Sequence, residues 1–101
     1  MALTSINQII SDIDAYIQKE GNGYNTWYAG ITNDPRGRLF TEHNVTEKNS
    51  WWIYREAYSV EDARQIEDFF INRRGTDGNP GGGDITSRFV YAYKKTGSTN
   101  P

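Results

Sequence analysis

Along the chain, apolar residues first recur at helical spacing and then alternate, and this cycle runs three times. In residues 4–20 Ile6, Ile9, Ile10, Ile13, Tyr16 and Ile17 form the stripe of an amphipathic helix. Thr4 or Ser5 can cap it, and Gly21-Asn22-Gly23 ends it. The stripe is expected to pack a core, with a dimer face as its other use. From Trp27 to Thr32 the period drops to two, with Trp27, Ala29 and Ile31 on one face and Tyr28, Gly30 and Thr32 on the other, a half-buried strand. Asn33-Asp34-Pro35 then offers a cap and a first-turn proline for a helix carrying Arg36, Arg38, Leu39 and His43. After a polar loop over residues 44–50, Trp51–Tyr58 reads as a second strand whose aromatics on both faces place it at the centre of a sheet. Ser59, with Asp62 three residues on, opens a helix that runs to Arg74. Phe89–Tyr93 is a third strand, with Phe89, Tyr91 and Tyr93 on one face. The order α-β-α-β-α-β predicts an α+β domain over residues 1–95: a small, three-stranded, mostly antiparallel sheet flanked by three helices. Residues 96–101 are a polar tail, expected to fray.

The last long helix contains the most informative position. Val60, Ala63, Ile66, Phe70 and Ile71 fall on one broad face, and Glu67 falls inside it, between Ala63 and Ile71. A carboxylate turned toward a core is costly unless it is paired, hydrogen-bonded or bound to a metal. Pairing with Arg64 or Arg74 would account for it structurally. A second candidate is the corner Trp27–His43, where a strand feeds a capped helix with Arg36 and Arg38 in its opening turns. Free backbone N–H groups and fixed guanidinium charge favour an anion there, although an ordinary corner with solvated arginines has the same local features. The loop over residues 75–84 is glycine-rich. Its amides can approach a phosphate, but it lacks the lysine and hydroxyl ending of a nucleotide P-loop and reads equally as a connector. The Trp51-Trp52 pair can stack bases or fill a core.

Composition narrows the chemistry. The 101 residues are 36% hydrophobic and 14% aromatic, so Trp, Tyr and Phe must supply much of the buried area. There is no cysteine and one histidine, which rules out disulfides, thiolate metal sites and multi-histidine sites. A metal would have to be a hard, oxygen-ligated ion. The net charge of −2 is not that of a general nucleic-acid binder, so any contact with phosphate must be local. No apolar run is long enough to span a membrane, and residues 1–5 do not read as the opening of a signal peptide. A soluble, cytoplasmic protein without a membrane partner is expected.

These residues together resemble the GIY-YIG nucleases. Tyr28-Ala29-Gly30 looks like the YIG half-motif on its strand. Arg38, ten residues on, matches the family's helix arginine. Glu67, four residues after Ala63, matches the metal-binding glutamate, and Asn79 stands where the family has a loop asparagine. The likeness spans Trp27 to Asn79. The family's first motif, a strand bearing a catalytic tyrosine ahead of YIG, is missing, since its place falls at Gln18. The strand Phe89–Tyr93 would fill that role in a circularly permuted chain, offering Tyr91 or Tyr93.

The resemblance implies a metal-dependent endonuclease or phosphodiesterase. Glu67 would bind one Mg2+ or Mn2+ ion, and Arg38 would neutralise charge on the phosphoryl oxygens. Tyr28, with Tyr91 or Tyr93, would orient or deprotonate water, a task that needs a lowered tyrosine pKa. Arg36, His43 and Asn79 would contact the substrate, a nucleic acid or nucleotide, with His43 as an alternative base. An inactive module of the same fold, binding a nucleotide or other phosphate-bearing ligand, is the competing expectation.

Overall fold

The computed structural model describes residues 3–79 and 84–101. Helix α1, Ile6–Glu20, starts where the Ser5 side chain accepts a hydrogen bond from Gln8 N–H at 3.2 Å. It stops at Gly21, whose φ of 92° is a left-handed cap that a residue without Cβ adopts freely. A single 3-10 turn, Tyr24–Thr26, leads into strand β1, Trp27–Thr32. The chain then turns at Asp34, whose carboxylate accepts from Gly37 N–H at 3.1 Å, into a wide π-helical turn over Gly37–Glu42. Strand β2 is Trp52–Glu56, and helix α2 is Val60–Asp68, capped by Ser59 accepting from Asp62 N–H at 3.1 Å. Helix α2 widens into a second π-helical segment, Phe69–Arg74. Strand β3, Phe89–Lys94, comes last.

All pairing in the sheet is antiparallel, and the order is β1-β3-β2. The expected α+β sheet with flanking helices is therefore present, but its centre is not the strand that the aromatic pattern suggested. β2 lies at an edge and β3 in the middle. β2 ends in Arg55 and Glu56, charges suited to an edge, and its outward aromatics pack under Phe40 instead of another layer of sheet. β3 is apolar on both faces, with Val90, Tyr91, Ala92 and Tyr93 all buried.

Alternation along each strand splits the interior in two. On one face Trp27, Ala29, Ile31, Ile53, Val90 and Ala92 meet Ile9, Ile13 and Ile17 of α1 and Ala63 and Ile66 of α2. On the other, Tyr28, Tyr91 and Tyr93 meet Leu39 and Val45 from the turn after β1. The stripe of α1 is thus spent on the core. The segment after β3 does not fray. Asn100 N–H donates to His43 O at 2.7 Å, Asn44 Nδ2 donates to Ser98 O at 2.9 Å, and Lys95 N–H donates to Thr26 O at 2.8 Å. No helix among the described residues is long and apolar enough to cross a membrane.

Replacing Ile13, at the centre of the helical stripe and fully buried, with alanine is expected to cost about 2–5 kcal/mol in urea unfolding. The same change at half-buried Ile10 should cost clearly less; equal costs would mean that the stripe does not face the sheet as described.

Candidate functional site

The tyrosine face is built by strand register. In the β1–β3 ladder Tyr28 stands opposite Tyr93 and Gly30 opposite Tyr91. The three phenol rings gather into one stack, with Tyr28 5.3 Å from Tyr93 and 6.3 Å from Tyr91 between ring centroids. Gly30 makes room for this. A Cβ at that position would lie 2.6 Å from the Tyr91 hydroxyl oxygen.

His43, at the end of the π-helical turn, lies against all three rings, at 4.7 Å from Tyr28, 5.5 Å from Tyr91 and 4.9 Å from Tyr93. It is buried, and both ring nitrogens are engaged. Nε2 is 2.7 Å from the Tyr91 hydroxyl, and Nδ1 is 2.6 Å from the Asn100 carbonyl oxygen and 3.1 Å from the Tyr93 hydroxyl. Arg38 Nε donates to the Tyr91 hydroxyl at 3.3 Å, and its Nη1 donates to Glu42 at 2.9 Å. A polar chain therefore runs from Arg38 through Tyr91 and His43 to the backbone of Asn100.

Beside this network is a cleft of about 500 Å³, bordered by Tyr28, Arg38, Glu42, His43, Asp77, Gly78, Asn79, Asn100 and Pro101. One wall is the start of the glycine-rich loop. Asp77 N–H donates to Trp27 O at 2.8 Å and Ala29 N–H donates to Asp77 O at 2.9 Å, so the loop extends the free edge of β1. Pro80–Gly83, the heart of the phosphate-cradling expectation for this loop, lie outside the described residues.

Tyr28, Arg38, His43 and Asn79 thus line one cleft, with Tyr91 and Tyr93 directly behind it. Arg36 is not brought there. It pairs with Glu47 at 2.7 Å and lies over the Phe40 ring. Glu67 is 2% exposed and does not border the cleft, but it is near enough that its charge raises the pKa of both Tyr28 and Tyr91. Arg38 acts on the same two phenols with the opposite sign. Of the two expected partners, Arg64 and Arg74, the second is engaged elsewhere, with two hydrogen bonds to Asp14 at 3.0 and 2.9 Å. No hydrogen bond from a described residue reaches the Glu67 carboxylate. Burial drives its pKa from 4.5 to about 7, and the nearby Arg64 charge only partly opposes this.

The lowered tyrosine pKa that water deprotonation would need is not found. Burial pushes Tyr28, Tyr91 and Tyr93 all upward, and Arg38 offsets only part of it. His43 moves the other way. Burial lowers its pKa more than the Asn100 carbonyl raises it, which favours the neutral ring. Glu42, Asp77 and Asn100 were missed as site residues. Glu42 carried a signal, its spacing of four from Arg38. Asp77 looked like a turn residue, and Asn100 contributes only backbone.

Comparisons of the chain with protein-family models, with curated proteins and with solved structures found no match.

Gly30→Ala is expected to drive the Tyr91 phenol off His43 and to destabilise the fold by about 1–3 kcal/mol in urea unfolding. A cost under about 0.5 kcal/mol would show that the phenol has room to spare. Glu67 makes stability depend on pH. Between about 4.5 and 7 the folded state holds a proton that the unfolded state has lost, so stability falls as pH rises. The total loss is on the order of 3 kcal/mol. Glu67→Gln should remove that slope and be the more stable protein at pH 8; a parallel pH profile for both proteins would contradict the burial of this acid.

Proposed function

We propose that this chain is a divalent-metal-dependent phosphodiesterase, an endonuclease of GIY-YIG type in circularly permuted order. The observation that carries the proposal is a polar cleft bordered by Tyr28 and Arg38, with Tyr91 hydrogen-bonded to Arg38 behind it and the buried Glu67 near enough to act electrostatically on both phenols. The antiparallel pairing of β3 beside β1 supports the permuted order, because it sets a tyrosine strand against Tyr28-Ala29-Gly30 without a strand preceding it.

Glu67 suits a hard cation: it offers only oxygen donors and has no hydrogen bond from a described residue. Among the described residues there is no cluster of three or more acidic or histidine side chains. An ion there would be held by one carboxylate, water and substrate phosphate, the habit of Mg2+ and Mn2+. When bound, such an ion supplies polarisation of a phosphoryl oxygen.

The chain's own residues account for the remaining steps. Arg38 offers a guanidinium to the phosphoryl oxygens and is held for this by Glu42. Its bond to Tyr91 is long at 3.3 Å, so a phosphate competes for the guanidinium and uncovers the phenol. Tyr28, at the cleft wall, orients the phosphate. Because Tyr28, Tyr91 and Tyr93 are all harder to ionise than usual, Tyr91 acts with His43. The Tyr91 oxygen takes a proton from the attacking water as its own proton passes to His43 Nε2. The water oxygen bonds to phosphorus, the P–O bond to the leaving oxygen breaks, and that oxygen is protonated from solvent.

The test is nicking of supercoiled plasmid in Mg2+ or Mn2+. Glu67→Gln and Arg38→Ala are each expected to lower the rate by about 10²-fold or more; undiminished nicking by Glu67→Gln would sink the proposal. One observation favours a second reading, a module that binds without cutting. The Tyr91 side chain is fully buried, so reaching it requires Arg38 to move. A rise in melting temperature with nucleotide in EDTA, without nicking in metal, would favour that reading.

A further inference from the structure

His43 stands between two phenols, and this leaves its tautomer open. A hydroxyl can donate or accept, so Tyr91 at Nε2 and Tyr93 at Nδ1 satisfy either neutral form of the ring equally well. With the proton on Nε2, Tyr91 would accept and Tyr93 would donate. With it on Nδ1, the roles reverse. The third partner is different in kind. The Asn100 carbonyl oxygen, 2.6 Å from Nδ1, carries no proton and can only accept.

We propose that the backbone carbonyl of Asn100 is a positioning group that fixes His43 as the Nδ1–H tautomer and thereby turns the Nε2 lone pair toward the Tyr91 hydroxyl. The segment after β3 is held for this. Asn100 N–H donates to the His43 carbonyl at 2.7 Å, so residue 100 grips both the backbone and the ring of residue 43. Asn44, in the left-handed region at φ 58°, turns its side-chain amide back to Ser98 O at 2.9 Å. Thr96 and Thr99 close a local turn in the same segment, with Thr96 N–H donating to the Thr99 hydroxyl at 3.0 Å. These contacts are polar and local, and they converge on one carbonyl.

The consequence is directional. With Nδ1–H fixed, Tyr91 must donate to His43, and its oxygen is left to accept from Arg38 Nε–H, as the geometry has it. In the other tautomer Nε2–H would compete with Arg38 for the Tyr91 oxygen, and Tyr91 would have no base for its proton. The role in turnover rests on the phosphodiesterase reading; the tautomer itself does not.

The experiment uses the single histidine of the chain, which gives one imidazole in a long-range 15N–1H correlation spectrum of the full chain, recorded near pH 8 with the ring neutral. The expected pattern has Nδ1 protonated and Nε2 unprotonated. A chain ending at Thr99 should show both nitrogens moving toward the average of two exchanging tautomers, while Asn100→Ala, which keeps the carbonyl, should retain the original pattern. An Nε2–H pattern in the full chain overturns the proposal, as does an unchanged Nδ1–H pattern in the shortened one. If the shortened chain does not fold, the full-chain spectrum alone still decides. Plasmid nicking by a folded shortened chain should fall by about 10²-fold. A full chain that shows Nδ1–H but never cuts DNA would overturn the nuclease reading and leave the tautomer assignment standing.

Discussion

Tyr91 faces a residue with no side chain, and the tyrosine side of the sheet depends on that pairing. Opposite any larger residue than Gly30, the ring would be lifted away from β1 and its hydroxyl would lose His43. With glycine there, three stacked phenols and a tilted imidazole pack at 4.7–6.3 Å, and the polar atoms of Tyr91 and His43 find partners within the cluster. A buried polar network of this kind stabilises only when its members are satisfied. Here the last acceptor comes from the main chain of a segment with no regular secondary structure.

The opposite situation holds at Glu67. Two turns into a helix whose other inward residues are Ala63, Ile66 and Phe70, it is withdrawn from water with no described hydrogen-bond donor to offset the loss. Nothing in packing calls for an acid there, and an amide of the same shape would sit more comfortably.

Much of this was legible in the residues themselves, because it depended on local periodicity. The alternation in Trp27–Thr32 correctly divides its side chains between two faces, and helical spacing alone exposes Glu67. What escaped was set by long-range pairing. Aromatics on both faces of Trp51–Tyr58 point to a centre, whereas Phe89–Tyr93 carries them on one face; the charges Arg55 and Glu56 against the unbroken Val90–Tyr93 separate edge from centre. The tyrosine pKa values depend on depth, which no local pattern encodes. The docking of residues 96–101 is made by backbone groups and short polar side chains that look the same in sequence whether the segment is tethered or loose.

The strand order has a bearing on how the chain assembles. β1 and β2 do not touch through hydrogen bonds; each is completed only by β3, which emerges after both. Until Phe89–Lys94 is present, Trp27–Thr32 and Trp52–Glu56 are two apolar ribbons with unpaired backbone on either side of a gap. Closing that gap joins residues more than fifty positions apart on the β1 side and more than thirty on the β2 side, an entropic toll that slows the search and leaves sticky ribbons open to neighbouring molecules meanwhile. In a growing polypeptide, everything before the final strand waits in an unfinished state.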